Sequence, residues 1–263
     1  MMGIIATNGT KAVEPIVYPE DDGKPMADNT KQLRWIVTLF SNLEGMFRDR
    51  PDVFVSGNLL WYPVEGENEE RAAPDVMIAF GRTKGDRGSY KQWEENDVPV
   101  TVAFEILSPS NDRKEMADKF LFYDEYGVEE YYVYDPIENT LEIYARGQAT
   151  LVRNRDIAGY VSRKLGIRFE MTNPEMTVYR PNGERFLSPA EIDADRDASK
   201  KRAVDEKLQA DADKKRADEA ERRESLLLQR FARIAVIAQK MQGGQATPDD
   251  LAEFARLTTP GPE

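Results

Sequence analysis

The chain has 263 residues with a formal net charge of −12 and no Cys and no His. Disulfides, thiolate metal sites, zinc-hydrolase chemistry and His general bases are thereby excluded, and any bound metal must take oxygen ligands, which points to magnesium or manganese. No long apolar run suggests a membrane span, and the N-terminus lacks the basic and apolar regions of a signal peptide, so a cytoplasmic protein is expected.

Residues 1–27 are polar, and 1–17 are expected to form a flexible arm ahead of a domain over 18–187. Asp28-Asn29-Thr30 can cap a helix running to about Phe47. Its apolar stripe would be Leu33, Ile36, Val37, Phe40, Leu43, Met46 and Phe47, at steps of three and four. Glu44 lies one step past that stripe. Val53-Phe54-Val55 and then Leu59-Leu60-Trp61-Tyr62 read as a strand or half of a hairpin. Ser56-Gly57-Asn58 would be a bulge between them.

Two apolar runs follow, 74–80 and 98–107. Both are rich in β-branched and aromatic residues, as strands buried on two faces are. Each carries one acid near an end, Asp75 and Glu105. A carboxylate inside such a run is costly unless its charge is compensated. Between the runs lies a loop over 81–96, longer than the usual ~4–6 residue connection. It places Arg82, Lys84, Arg87 and Lys91 beside Tyr90 and Trp93. Cations interleaved with rings suit a nucleic-acid strand, with phosphate on the charges and bases on the rings. An ordinary solvated loop with Trp93 folded onto the core accounts equally for the pattern.

Ser108-Pro109-Ser110-Asn111-Asp112 is a helix-start signal. An amphipathic helix over 113–126 follows, stopped by Gly127, and then a strand over 130–136. A turn at 137–140 leads to the strand 141–144. Strands near 150–153, 160–161 and 165–170 would complete a mixed sheet.

Pro74-Asp75, Glu105-Ile106-Leu107-Ser108-Pro109-Ser110, Lys119, Tyr123, the run from Tyr126 to Tyr131 and Asp135-Pro136 stand in one order along the chain. In this they resemble the Uma family of candidate bacterial restriction endonucleases, within the PD-(D/E)xK nuclease superfamily. The resemblance covers about 18–181. It implies an α/β fold with a restriction endonuclease-like mixed sheet flanked by helices. It also implies a metal-dependent DNA endonuclease, with Asp75 and Glu105 holding magnesium (or manganese) and Lys119 assisting the water or the transition state. The common superfamily motif has its lysine two positions after the acid. Here that position is Leu107, and the resemblance moves the lysine to Lys119 on the next helix. Glu44 and Ser108 are further candidates near the metal. Asn58 stands where relatives carry Asp.

Taken singly, each of these residues has a plainer reading: Asp75 as a strand start, Glu105 paired with Arg113, Lys119 as surface charge. The acidic balance falls mainly on residues 1–187, which disfavours non-specific DNA affinity. It keeps open an alternative, a non-catalytic binding or scaffold protein that retains the fold.

At Ser188 the composition changes. Ser188-Pro189-Ala190-Glu191 is a capping box, and residues 188–242 contain no Gly and no further Pro. This segment is expected to be one charged helix. Leu227, Phe231, Ile234, Ala238 and Met241 form a short coiled-coil seam in it, so a homodimer through 227–241 is a candidate. Gly243-Gly244 ends the helix, and Thr247 caps a short helix in the tail 243–263.

Overall fold

The structure is a computed structural model that describes residues 15–21, 23, 25–172 and 174–259. Most of the expected N-terminal arm, residues 1–14, lies outside the described residues. The chain divides into two units, Met1–Ile192 and Asp193–Glu263.

The first unit is an α/β domain built on a six-stranded mixed sheet. Its strands are β1 (Val53–Ser56), β3 (Val76–Phe80), β5 (Val102–Ile106), β6 (Glu130–Asp135), β7 (Thr140–Arg146) and β8 (Leu151–Asn154), in spatial order β1-β3-β5-β6-β7-β8. Within this sheet only the β5–β6 pair is parallel. A parallel pair needs a crossover, and the helix α2 (Arg113–Glu125) supplies it. Asp112 caps α2 by accepting the Glu115 N–H at 2.7 Å. Gly127 ends it at φ +89°, a conformation that a side chain would strain.

The central strands are apolar on both faces because both faces are covered. Val76, Ile78, Val102 and Phe104 join the core under the helix α1 (Thr30–Met46). Met77, Ala79, Ala103 and Tyr131 join Phe122 and Tyr123 of α2 on the other face.

Asn29 caps α1, accepting the Lys31 and Gln32 N–H groups. The buried face of α1 is rotated from the expected stripe. Trp35, Ile36, Leu39 and Leu43 are buried, whereas Leu33 is 40% exposed. The Trp35 ring sets this rotation by packing edge-on against Tyr134 at 4.8 Å.

Two further expectations are corrected. Residues 53–62 do not form one bulged strand. Asn58 turns at φ +49° and donates its N–H to the Pro74 carbonyl. The chain then leaves the main sheet, and β2 (Trp61–Tyr62) pairs in parallel with β4 (Tyr90–Lys91). Residues 165–170 do not extend the main sheet either. Within them β9 (Arg168–Glu170) pairs with β10 (Thr177–Tyr179) in a separate ribbon. Phe169 and Val178 of that ribbon face the α1-side core.

The second unit holds most of α3 (Pro189–Gln242), which starts in the first unit, and all of α4 (Pro248–Thr258). The Ser188–Glu191 capping box is formed reciprocally. The α4 helix folds back on the end of α3. Arg233 pairs with Glu253 and Lys240 with Asp250, while Arg230 donates to the Leu257 and Thr259 carbonyls. The expected seam is therefore not the covered face. Ile237, outside it, is fully buried, while Leu227 and Phe231 are 50% and 64% exposed. Among the described residues no helix is long and apolar enough to cross a membrane.

Glu130 shows how tightly the domain is closed. It is 1% exposed and accepts from the Tyr132 and Ser162 hydroxyls and from the Arg163 and Lys164 N–H groups. Replacing it with Leu strands these donors in the core. Glu130→Leu should lower the unfolding free energy in urea by roughly 3 kcal/mol or more. A loss under ~1 kcal/mol would mean that the 160–164 turn is not held by this carboxylate.

Candidate active site

The antiparallel register of β3 and β5 sets the site. Val76 is opposite Phe104 and Met77 opposite Ala103. One step further, Asp75 stands opposite Glu105, and opposed residues on antiparallel strands project to the same face. That face is the one covered by α2. Asp75 and Glu105 are 8% and 3% exposed.

Lys119 and Tyr123 are four positions apart on α2 and so share one side of it. Both reach Glu105. Lys119 Nζ lies 2.7 Å from Oε2, and the Tyr123 hydroxyl donates to Oε1 at 2.6 Å. Arg113, the other cation considered for Glu105, is not the one that holds it. Asp75 is fixed differently, its Oδ2 accepting the Ile106 N–H at 2.6 Å.

The electrostatics follow from burial. Desolvation, then the neighbouring Glu105 charge, pushes the Asp75 carboxyl up to about 8 against the pull of Ile106 N–H and Lys119. Burial alone would lower the Lys119 ammonium. Glu105, with Asp75 behind it, more than offsets this, and the group ends above its ordinary value. The Tyr123 hydroxyl is driven well up by burial and then by Glu105, so it stays a donor.

Asp75 and Lys119 line a cleft of about 550 Å³ together with Asp28, Gln32, Asn58, Arg71 and Glu115, while Glu105 and Tyr123 lie buried outside its lining. Asp28 accepts the Ser108 and Ser110 hydroxyls. Ser108 is thus tied to Asp28 and does not cap α2. Glu44 is not at the cleft. It lies about 18 Å along α1 from Gln32 at ~1.5 Å per residue, and it holds Lys84 at 2.8 Å.

The loop cations are not brought to the carboxylates. Arg82 and Arg87 both clamp Glu95, at 2.7 and 2.5 Å, and all three side chains are largely buried. Arg87 also stacks over Phe54 at 4.0 Å. Burial by itself would raise Glu95, but the two guanidinium groups outweigh it and hold its carboxyl below the ordinary value. Lys91 pairs with Glu94, and Trp93 packs on Tyr18. The four cations of residues 81–96 are thus each paired with a carboxylate, Lys84 with Glu44 of α1 and the others within the segment, rather than forming a free basic loop.

Gln32, Asp28 and Arg71 escaped the sequence reading. Gln32 was hidden because Leu33 was taken as the buried position in its turn of α1. Asp28 reads as a helix-start residue, and Arg71 lies in a polar turn.

Residues 22–172 match the family Uma2, whose description reads "Putative restriction endonuclease". The chain belongs to this family. The matched span contains the whole cleft, including Asp75, Glu105 and Lys119. Among solved structures the chain is similar to one from Anabaena variabilis described as "a putative nuclease belonging to DUF820". The identity is 16%, the TM-score is 0.41, and the match covers 54% of this chain and 77% of that one. No curated protein matches.

The raised Asp75 value has a sign that can be checked. The native state keeps a proton that the unfolded chain gives up above about pH 4, so Asp75 costs the fold more as pH rises, until about pH 8. Asn has the same shape and no charge to lose. In metal-free buffer, Asp75→Asn should gain stability over wild type progressively from pH 5 to pH 8, at up to ~1.4 kcal/mol per pH unit, and then level off. Thermal melts across that range measure it. A difference that does not vary with pH would show that Asp75 ionises normally.

Proposed function

We propose that the protein is a metal-dependent DNA endonuclease that hydrolyses phosphodiester bonds at the cleft between β3, β5 and α2. The observation that carries this reading is the opposition of Asp75 and Glu105 across one register step, with Lys119 on the second of them. Family membership supports the substrate class.

Asp75 and Glu105 would hold magnesium or manganese. The donor set fits, because magnesium is commonly bound through one or two carboxylates. Among the described residues no group of three or more His, Cys, Asp or Glu is arranged to hold a metal, so the pair would act with water and substrate oxygens completing the shell. The ion, when bound, supplies Lewis-acid polarisation of the phosphate and a more acidic water. The chain's own residues do the rest. Tyr123 fixes the rotamer of Glu105 and the Ile106 N–H fixes Asp75; Asp75 and Lys119 line the cleft, and Glu105 is buried against Lys119. Lys119 keeps its proton and stands beside Glu105, where it can orient a water or offset charge on the phosphate. Arg71 offers a second cation at the cleft wall.

A binding or scaffold protein that keeps the fold is the second reading. The net charge of −12 and the carboxylate partners of Arg82, Lys84, Arg87 and Lys91 favour it. Cleavage of supercoiled plasmid with magnesium or manganese, against a chelator control, separates the two. Asp75→Ala and Glu105→Gln should abolish cleavage. Lys119→Ala should slow it by about 100-fold or more while cation binding by calorimetry persists. Equal cleavage by all three variants and wild type would reject the assignment.

We propose further that the end of α3 self-associates. Arg230 and Arg233 both turn to α4. Leu227, Leu228 and Phe231 are left at least half exposed on a side of the helix without those charges. Two copies related by a twofold axis can bring such a stripe together. Light scattering should give a dimer for the full chain and a monomer for Phe231→Asp, since burying a charge there is expensive. A monomer for the full chain would reject self-association.

A further inference from the structure

The end of β5 is pinned from outside the sheet. Because β3 starts at Val76, Ile106 has no β3 residue opposite it, and its peptide groups need other partners. The N–H goes to Asp75. The carbonyl accepts from Gln32 Nε2 at 2.8 Å, across 74 positions of sequence. The same side-chain amide is used at its other end, where Oε1 accepts the Asp28 N–H at 2.8 Å. Gln32 is 5% exposed. A buried amide is tolerated when both donor and acceptor are satisfied, and this one joins three segments, the approach to α1, α1 itself and the end of β5. Asp28 tightens the join by holding Ser108 and Ser110, just past that strand end.

We propose that Gln32 is a positioning residue for the Asp75–Glu105 pair. By holding the Ile106 carbonyl it fixes the strand end from which Glu105 projects and from which the Ile106 N–H reaches Asp75. Asp75, which lines the cleft, and Glu105, buried against Lys119, are then held in a fixed relation to each other. The inference rests on the metal-dependent nuclease reading above and extends it to α1. Groups that orient metal-binding side chains without touching the reacting atoms typically cost 10–100-fold when removed.

Two variants test this in the full-length protein. Gln32→Met keeps length and volume and removes both hydrogen bonds. Gln32→Glu keeps an acceptor for Asp28 N–H and loses the donor to Ile106. Both should lower kcat on a DNA duplex roughly tenfold or more and weaken manganese binding in calorimetry, while KM for the duplex stays within about twofold of wild type. Circular dichroism melts show which variants fold, and Gln32→Glu is read alone if Gln32→Met does not. Loss of fold in both would make Gln32 structural and overturn the proposal. So would wild-type kcat in both, with the nuclease reading left standing. A raised KM at unchanged kcat would place Gln32 on the substrate instead, and also overturn it. A wild-type protein that neither cleaves DNA nor binds manganese would overturn the nuclease reading itself, and this inference with it.

Discussion

Two carboxylates meet across one step of an antiparallel register, in a part of the sheet covered on both faces. Asp75 and Glu105 cannot both be charged there without a cation. The surrounding structure answers that constraint. Lys119 comes from one turn of α2 and Tyr123 from the next, and both end on Glu105. Asp75 receives a backbone N–H and keeps its proton to about pH 8. The arrangement costs stability that hydrophobic residues at the same positions would not cost. Such expense is characteristic of sites that do chemistry, and it is concentrated where β3 has ended and β5 continues.

The topology explains why the expense can be borne. β5 and β6 are parallel, so α2 must cross over between them, and its Lys119 and Tyr123 reach back to Glu105 near the end of β5. A lysine two turns into that helix reaches an acid on the strand just left. The lysine therefore need not be on the strand itself, and Leu107 can remain apolar and pack with the α2-side core.

Much of this was legible in the sequence because it rests on local rules. Continuous apolar runs rich in β-branched and aromatic residues gave β3 and β5, and the aromatic run after Gly127 gave β6. The cap at Asn29 and the stop at Gly127 gave helix ends within a residue or two. The two acids stood out near strand ends, but Lys119 was singled out only through the family resemblance, its placement on the helix reading by itself as surface charge. Tertiary pairing was not legible. Arg82 and Arg87 read as free cations because nothing in the sequence says that Glu95 folds between them. The rotation of α1 depends on Trp35 meeting Tyr134, 99 positions away, and that rotation is what turns Gln32 inward. In the tail, the heptad count found real apolar residues but missed that α4 takes the neighbouring side of α3.

The same contrast bears on charge. A net charge of −12 argues against DNA when it is treated as one number. Its distribution changes the argument. Many of the acids are already matched by cations inside the fold, as Glu44, Glu95 and Glu105 are by Lys84, the two arginines and Lys119. The Glu44–Lys84 and Glu105–Lys119 pairs are near-neutral and contribute little field at a distance, and Glu95 with its two arginines leaves one positive charge over. The charged groups lining the cleft are a local set: Lys119 and Arg71, with Asp28, Asp75 and Glu115 opposed to them. With Asp75 protonated, that set carries less negative charge than its composition suggests. The local balance at the β5 end, rather than the total, decides whether a polyanion can approach.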